Sequence, residues 1–299
     1  MIDYSFIIPH KNSATLLERL LISIPKQTDI EVIVVDDHSS PTELQAVKQL
    51  ASRYDFCLLE NEGQYAGGAR NTGLRRAKGE WLVFADADDF FLPTLPAMLE
   101  QYKHSDADLV LFNADSCYSD TLEPSTRAEH IHHIFHQYMS KLNFRAIACR
   151  QLAPWAKLVR RRFVEDNNIV YEEIIAANDL AFNVRIACLA STLIADATPL
   201  YMLTATSGSI TTVQTKERHL SRLESTIRAN RVLRQQGYRR YQMSVLYYIA
   251  SALQFGIKYE LQVLWRILVT GTNPFIGTSK LLRAGREWNR LHDKRVIQK

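Results

Sequence analysis

The chain has little that would indicate a secreted, disulfide-stabilised or zinc-binding protein. Its 299 residues include four cysteines, which lie far apart and form no Cys-x-x-Cys pair. This pattern argues against a disulfide framework or a zinc finger and favours a reducing compartment. The sequence also contains no Gly-Lys-Ser/Thr and no Gly-x-Gly-x-x-Gly, so neither a P-loop nor a dinucleotide-binding fingerprint is indicated.

Long hydrophobic runs are lacking as well. The longest uncharged stretch of the most apolar region, residues 241–257, includes four Gln and Ser residues. It is shorter than the roughly 20 apolar residues that a membrane-spanning helix needs. The chain opens with Asp3 and a short strand-like run rather than with the basic segment and apolar core of a signal peptide. We therefore expect a cytoplasmic protein, soluble or attached peripherally to the inner face of the cell membrane.

The composition is that of an ordinary globular protein, with 46% apolar and 23% charged residues. Charge is divided unevenly along the chain. Residues 1–150 carry 14 Lys and Arg against 21 Asp and Glu, a net charge of −7, whereas residues 151–299 carry 22 against 11, a net charge of +11. The basic half favours an anionic partner, such as a membrane surface or an anionic acceptor.

The first part of the chain alternates between strand and helix signals. Five apolar runs are predicted as strands: residues 5–8, 32–35, 56–59, 81–85 and 109–112. Apolar residues of helical period follow the first run, and Ser40-Pro41-Thr42-Glu43 predicts a capping box at the start of a second helix. This alternation predicts an α/β fold with a mostly parallel, doubly wound sheet.

Helical signals dominate further along. Helices are predicted at residues 155–165, 178–190 and 217–236, and one helix or a pair of helices at residues 243–269. Residues 275–299 form a strongly basic tail with interleaved apolar residues. This pattern is typical of a helix on an anionic membrane or of a solvated C-terminal helix.

Two acidic clusters follow predicted strands. Asp36 and Asp37 end the second strand, and Asp86, Asp88 and Asp89 end the fourth. Ligands bind parallel sheets at the carboxyl ends of the strands, so both clusters are expected at the ligand-binding edge. Closely spaced carboxylates favour Mg²⁺ or Mn²⁺, which can bridge the phosphates of a nucleotide. The alternative for an isolated Asp-x-Asp is a solvated acidic turn.

Small residues next to a cation form a further candidate site. Residues 67–71, Gly-Gly-Ala-Arg-Asn, precede a predicted helix. Small side chains would let the backbone approach a ligand, and Arg70 could reach a phosphate.

Taken together, these segments resemble the family 2 glycosyltransferases, which are inverting enzymes with the nucleotide-sugar-binding fold called GT-A. Six segments carry the resemblance: Ile7 to Asn12 (I-I-P-x-x-N), Val34 to Ser39 (V-V-D-D-x-S), Gly67 to Leu74 (G-x-A-R-N-x-G-L), Gly79 to Asp89 (G-E-W-L-V-F-A-D-A-D-D), Pro154 to Arg161 (W-x-K-L-x-R-R) and Asn178 to Asn183. The resemblance covers roughly residues 4–190 and implies a GT-A fold followed by a C-terminal helical region.

The resemblance also implies roles for individual residues. Asp37 matches the acceptor for the uracil ring, and Pro9 matches a backbone position beside the base. Asp86 is placed near the ribose, and Asp88 and Asp89 at the metal, which is Mn²⁺ or Mg²⁺. Arg70, at the glycine-rich segment, is assigned to the nucleotide phosphates.

Asp179 matches the catalytic base of the family, but its neighbour departs from the pattern. The usual Glu before this base is Asn178 here. Because Asn cannot remove a proton from a hydroxyl, base chemistry falls on Asp179, or on Glu172 or Glu173 if the loop folds differently. Two roles are considered for Trp155: packing in the core or stacking on a sugar ring.

The resulting hypothesis is a metal-dependent hexosyltransferase that moves a hexose or N-acetylhexosamine from a UDP-sugar to a glycan or lipid-linked acceptor. The family analogy places it in bacterial lipopolysaccharide or capsule synthesis, with the C-terminal tail as a contact to an anionic membrane and with no nucleic-acid partner. Residues 1–115 would bind the donor, residues 116–215 the acceptor, and residues 216–299 would form a basic extension. The alternatives are a haloacid-dehalogenase-like phosphohydrolase and a non-catalytic polyanion-binding protein.

Overall fold

The computed structural model describes residues 2–205 and 215–276, and the chain divides into two compact units, residues 1–214 and 215–299. Most of the basic tail therefore lies outside the described residues. The prediction that the first unit has a donor half and an acceptor half stays a prediction.

The first unit is built on one eight-stranded mixed sheet. Its strands are β1 (Tyr4–His10), β2 (Ile30–Asp36), β3 (Cys57–Glu60), β4 (Trp81–Phe84), β5 (Phe90–Phe91), β6 (Leu109–Tyr118), β7 (Lys157–Arg160) and β8 (Leu193–Ala205). Their order across the sheet is β3-β2-β1-β4-β7-β6-β8-β5. The pairs β1–β2, β1–β4, β2–β3 and β6–β8 are parallel, whereas β7 is antiparallel to both of its neighbours and β5 is antiparallel to β8.

Within the described ranges, eight helices of the first unit and three of the second connect or follow these strands. They are α1 (Ala14–Ser23), α2 (Pro41–Ala51), α3 (Tyr65–Arg76), α4 (Leu95–Tyr102), α5 (Glu129–Met139), α6 (Phe144–Ala148), α7 (Arg161–Asp166), α8 (Leu180–Leu189), α9 (Lys216–Gln235), α10 (Leu246–Ala252) and α11 (Ile257–Val269). Short 3₁₀ turns lie at Arg239–Tyr241 and Leu253–Phe255.

The central strands lie in the core because they are apolar on both faces. Ile7 and Ile8 of β1 and Val34 and Val35 of β2 are fully buried. Such continuous apolar runs are typical of parallel strands that are covered on both sides. The strand predictions at residues 5–8, 32–35, 56–59, 81–85 and 109–112 are thereby confirmed to within a few residues.

The glycine-rich segment corrects one expectation, since residues 67–71 lie inside α3 and not ahead of it. Gly67 packs so closely on the 172–173 segment that an added Cβ would collide with the Glu172 carbonyl oxygen. At Gly73 an added Cβ would lie 2.5 Å from Ile7 Cγ2. Glycine here lets α3 pack against β1 and the Glu172 loop, instead of opening a loop to a ligand.

Two other sequence predictions need correction, and one strand was missed. Residues 157–160 form β7, so the helix predicted at 155–165 is wrong in its first half; β7 pairs with β4 and β6 because its apolar residues are buried between them. The long strand β8 was not predicted at all. The capping box is half formed: Ser40 accepts the Glu43 backbone N–H, but the Glu43 carboxylate accepts the Ala14 N–H at the start of α1.

Over residues 215–276 the second unit is helical, and an apolar cluster forms its core. Leu223 and Ile227 of α9 pack with Val245, Tyr259, Val263 and Ile267. The side chain of His219 joins this core and hydrogen bonds both Tyr259 Oη (3.0 Å) and Ser251 Oγ (2.9 Å). The pair of helices predicted for residues 243–269 is confirmed. No helix in the described residues is long and apolar enough to cross a membrane.

Candidate active site

The polar residues of the candidate site lie where neighbouring strands end. Asp37 follows β2, Asn61 follows β3, and Asp86 follows β4. These strands are parallel neighbours through β1, so their carboxyl ends meet at one edge of the sheet. The structure therefore places both predicted acidic clusters at the expected ligand-binding edge.

Asp37 is held in place by a partner that the sequence reasoning missed. The Asn61 Nδ2 amide donates to Asp37 Oδ1 at 2.6 Å, and Lys11 Nζ lies 3.5 Å from Asp37 Oδ2. Asn61 also donates to the Tyr65 carbonyl at the start of α3. The signal for Asn61 was its position directly after a strand, which is the signal that identified Asp37.

A buried histidine fixes the ends of β1 and β2. His10 Nε2 accepts the Ser13 backbone N–H, so Nδ1 carries the ring hydrogen and donates to Asp36 Oδ1 at 2.9 Å. Burial raises the pKa of Asp36, but hydrogen bonds from Ser39 and His10 outweigh it and hold that pKa below its usual value. Asp36 is thus a structural anion, and Asp37 is the carboxylate left beside the ligand edge.

Arg70 joins the Asp-x-Asp motif to the segment that carries Asp179. Its side chain is buried, and its two terminal amino groups donate to Asp86 Oδ1 at 2.6 Å and to Asn178 Oδ1 at 2.9 Å. Burial lowers the pKa of Arg70, but Asp86, Tyr171 and Asp179 together raise it above its usual value. Asn178, the departure from the family pattern, is therefore the direct partner of this guanidinium.

Asp88 and Asp89 have different environments although they are adjacent. The Asp88 side chain is partly exposed. The backbone carbonyl of Asp88 accepts from the Arg19 guanidinium at 2.6 Å and from the Thr204 hydroxyl at 2.7 Å. Asp89 is only 2% exposed and accepts the Thr204 backbone N–H at 2.7 Å. This burial fits a structural role for Asp89 better than the predicted metal contact.

The donor set near Asp88 fits a divalent cation that is also held by substrate. Burial and the Asp86 charge raise the pKa of Asp88, and a cation would relieve this repulsion. Within the described ranges, no group of three or more His, Cys, Asp or Glu could hold a metal ion alone. Mg²⁺ commonly binds through one or two carboxylates together with substrate phosphates, so the fit requires no larger cluster.

Asp179 lies at the N-terminus of α8, and its carboxylate makes no capping hydrogen bond to that helix. Burial raises the pKa of the Asp179 carboxyl. The Arg70 charge lowers this pKa and the Asp86 charge raises it, and the net shift is upward. A carboxylate with a raised pKa is better matched to accepting a proton from a hydroxyl near neutral pH.

The alternative base Glu173 is already engaged. Its carboxylate oxygens accept the Gln64 backbone N–H at 3.1 Å and the Asn71 amide at 3.3 Å, and so tie the 172–173 segment to the start of α3. The Glu172 backbone N–H donates to the Asn178 carbonyl at 3.1 Å. These contacts hold the loop that leads to Asp179.

A buried lysine supports the same loop and was not recognised as a site residue from the sequence. Lys157 of β7 is 1% exposed, and its Nζ donates to the Gln151 and Ala153 carbonyls and to Asn183 Oδ1 at 2.6 Å. Asn183 in turn donates to the Asp179 carbonyl at 2.9 Å. Burial lowers the pKa of Lys157 to about 7, with Asp179 opposing the shift.

Of the two roles considered for Trp155, the structure favours packing in the core. Its ring is buried and stacks on Tyr201, with centroids 5.4 Å apart and planes 6° from parallel. The Tyr201 hydroxyl accepts the Asp86 backbone N–H at 2.9 Å. Trp155 therefore stabilises the strand end that presents the acidic motif.

Comparisons with known proteins agree with this geometry. The sequence profile described as glycosyl transferase family 2 matches residues 5–167. Over 203 residues the chain is 30% identical to the poly(ribitol-phosphate) beta-N-acetylglucosaminyltransferase TarS of Staphylococcus aureus, a match that covers 62% of this chain and 32% of TarS. A glycosyltransferase of Haemophilus influenzae is 41% identical over 92 residues, which are 30% of each protein. The chain thus matches about a third of the length of these relatives.

Solved structures give the same architecture. The crystal structure of S. aureus TarS 1–349 in complex with UDP-GlcNAc has a TM-score of 0.61 at 20% identity and covers 87% of this chain and 78% of that one. The Pyrobaculum calidifontis mannosyltransferase PcManGT, in complex with GDP-Man and Mn²⁺, has a TM-score of 0.56 at 17% identity and covers 95% and 79%. The predicted GT-A fold class, with its mostly parallel sheet and C-terminal helices, is confirmed.

Proposed function

Because this chain belongs to glycosyl transferase family 2, we propose that it moves a hexose or N-acetylhexosamine from a UDP-sugar to an acceptor hydroxyl with inversion at the anomeric carbon. One observation carries the proposal above all others. Arg70 bonds both Asp86 of the acidic motif and Asn178 beside Asp179, so the candidate donor residues and the candidate base belong to one connected site. The phosphohydrolase and polyanion-binding alternatives have no comparable support.

The nucleotide would bind at the ends of β1, β2 and β4. Asp37, oriented by Asn61, would accept the uracil N–H, and the backbone at Pro9 would lie beside the base. Asp86 would contact the ribose. An oriented carboxylate discriminates between bases because uracil offers a ring N–H, which the six-membered ring of adenine lacks.

Asp179 would act as the general base. It would accept the proton of the acceptor hydroxyl as that oxygen attacks the anomeric carbon on the face opposite the nucleotide. Its upward pKa shift supports this role, since proton transfer is most efficient when the pKa of the base approaches the working pH.

Asp88 would hold the divalent ion, Mn²⁺ or Mg²⁺, together with the donor diphosphate. The ion would supply positive charge that stabilises the departing UDP. Arg70 would add fixed positive charge close by, and its contacts keep Asp86 in position. We assign Asp89 to the support of this turn, because its carboxylate is buried on the Thr204 backbone.

The acceptor is proposed to be a bacterial surface polymer. TarS, TarP and a Bacillus enzyme, all of them relatives, act by name on poly(ribitol-phosphate), so a polyol-phosphate chain is the first acceptor to test. Lipopolysaccharide and capsule precursors follow from the family analogy and come second. The membrane contact through the basic tail and the inner-face location stay predictions.

Isothermal calorimetry with UDP and ADP tests the donor assignment. UDP should bind more tightly than ADP, and Asp37→Ala should remove most of the difference. Glu60→Ala, at the exposed end of β3, serves as the control and should keep the preference. Equal affinities in the wild type would contradict the assignment of Asp37.

A transfer assay tests the reaction itself. It measures whether the protein moves sugar from labelled UDP-sugars to poly(ribitol-phosphate).

A further inference from the structure

One face of α11 is apolar and exposed to solvent. Ile257, Leu261, Trp265 and Leu268 are spaced by four, four and three residues, which places them in one row along the helix. Each is 60–67% exposed, whereas Tyr259, Val263 and Ile267 on the other side lie in the core of residues 215–276. We call these four exposed residues the outer face. Single exposed apolar residues are ordinary, but a continuous row that includes Trp marks an interaction surface.

An arginine-lined cavity of about 350 Å³ lies in the same unit. It is bounded by the C-terminal part of α9, by the Arg239–Gln242 segment and by the residues that follow α11. Arg231, Arg234 and Arg239 line it, and within residues 215–276 none of the three forms an ion pair. A guanidinium group can donate two parallel hydrogen bonds to the oxygens of one phosphate. This arginine cavity therefore suits a phosphate-bearing ligand.

The outer face and the arginine cavity are continuous along the chain. Residues 270–273 line the cavity and begin two residues after Leu268, the last residue of the outer face. The exposed Phe275 follows a few residues later. An apolar surface that leads into an anion site matches a molecule with an apolar part next to a phosphate.

Charge argues for the identity of the occupant. Residues 215–276 carry 10 Lys and Arg against 3 Asp and Glu, a net charge of +7, so a second copy of this unit would be repelled. Residues 277–299 carry 7 against 2, a net charge of +5, which excludes them as a complement to the arginine cavity. The outer-face side chains are largely exposed along a single helix, and such an apolar row next to basic residues suits insertion into the interfacial layer of an anionic membrane.

We propose that residues 215–276 dock on an anionic membrane, with the outer face of α11 entering the interfacial layer and the arginine cavity receiving a lipid phosphate. Amphipathic helices with Trp and Leu on the apolar side bind membranes in this way, and cationic residues add attraction to anionic headgroups. The surface shares only residues 275 and 276 with the basic tail, and it takes no part in sugar transfer.

Vesicle sedimentation with the full chain tests the apolar part. The protein should bind vesicles of equal parts phosphatidylcholine and phosphatidylglycerol, and much more weakly vesicles of phosphatidylcholine alone. Leu261→Gln with Trp265→Gln should release it. Ile22→Gln with Leu142→Gln, two equally exposed apolar residues of the first unit, should bind like the wild type.

Two triple variants of matched charge test the contribution of the arginine cavity to vesicle binding. Arg231→Gln, Arg234→Gln and Arg239→Gln together should weaken binding to the mixed vesicles roughly 100-fold at low salt. Lys48→Gln, Arg76→Gln and Arg162→Gln remove the same charge from exposed positions of the first unit and should change binding much less. Unchanged thermal melting of each variant shows that it is folded.

Several outcomes would overturn the proposal. Equal loss in the matched pairs of variants would reduce the effect to net charge. Equal binding to both vesicle types would contradict the need for an anionic surface, and undiminished binding of the arginine triple variant would remove the role of the cavity. Arginine-dependent binding of inorganic phosphate without vesicle binding would make the cavity a site for a soluble anion. Self-association that the Leu261 and Trp265 changes abolish would identify the outer face as an interface between copies. Transfer to a soluble acceptor should be unaffected, so failure here leaves the proposed function intact.

Discussion

Three carboxyl groups near the ligand edge share a raised pKa for related reasons but are suited to different tasks. Asp88, Asp89 and Asp179 are all buried to some degree near the charge of Asp86. The Asp89 carboxylate is buried and accepts the Thr204 backbone N–H, whereas the Asp88 carboxylate is partly exposed. Asp179 lies next to the contact between Arg70 and Asn178. Accessibility therefore separates the proposed supporting role of Asp89 from the other two, and position separates the proposed metal-binding role of Asp88 from the proposed base role of Asp179.

At the same scale, Asp179→Asn should lower the turnover of sugar transfer by roughly 10²–10⁴-fold, because the acceptor hydroxyl loses its proton acceptor. The change keeps the size of the side chain, so UDP affinity should stay at the wild-type value. Steady-state kinetics together with UDP calorimetry measure both quantities.

Glu172→Gln and Glu173→Gln are the comparison variants for this prediction. Since Glu173 holds the loop through Gln64 and Asn71, its loss should affect stability more than turnover. If Asp179→Asn transfers at close to the normal rate while one of these two variants does not, the base lies in the 172–173 segment. Loss of UDP binding in Asp179→Asn would instead give that residue a role in holding the donor site.

The sequence was informative for residues that sit in local patterns. Asp37, Asp86 and Asp88 follow apolar strands, and Asp179 stands in a recognised segment, so each could be proposed from its neighbours along the chain. Asn183 and Lys157 also stand in recognised segments, but their supporting roles could not be proposed, because these depend on a contact between two segments that are separate along the chain. The burial that separates Asp89 from Asp88 is likewise a property of packing, set by Thr204 of β8.

At the scale of elements, parallel strands with continuous apolar runs were predictable and short or irregular strands were not. β7 has four residues and is followed at once by α7, so its apolar residues could be fitted to a helical period. β8 begins after α8 with mixed polar and apolar residues, and its pairing with β6 shifts register near Asn113. Its partners lie more than 80 residues away along the chain, where no local pattern indicates them.

β7 also carries a testable pH dependence through Lys157. Its pKa is lowered to about 7 by burial, whereas the unfolded chain keeps the usual value of 10.5. Between these values the unfolded state binds more protons than the folded state, so the free energy of unfolding rises with pH in this window. The slope from this one group is at most about 1.4 kcal/mol per pH unit.

Urea denaturation of the wild type and of Lys157→Met between pH 7 and pH 9 measures this effect. Lys157→Met lacks the titrating amine, so its free energy of unfolding should not show this slope. As the pH rises, the wild type should therefore gain stability relative to Lys157→Met. Arg162→Met, an exposed cation of α7, is the control and should retain the wild-type slope. A difference that is constant over this range would contradict the lowered pKa of Lys157.

At the scale of the whole molecule, charge and chemistry are separated along the chain. The acidic motif and the candidate base lie in residues 1–214, whereas residues 215–276 carry a net charge of +7. An acidic site that binds a diphosphate needs added positive charge, and Arg70, with both amino groups engaged, supplies only part of it. The whole-chain charge pattern thus agrees with a donor that arrives together with a divalent ion.

Ligand-linked stability tests that agreement without an activity assay. UDP at 100 times its Kd should stabilise the folded protein by about 2.7 kcal/mol, and the midpoint of thermal unfolding should rise accordingly. At one fixed UDP concentration the rise should be larger with Mn²⁺ than in EDTA, because an ion held by Asp88 together with the diphosphate would lower the Kd. Asp88→Ala should abolish this difference. Glu80→Ala, an exposed carboxylate at the opposite end of β4, should preserve it. An equal rise with Mn²⁺ and with EDTA in the wild type would mean that the diphosphate binds through protein groups alone, and Asp88 would then have no metal to hold.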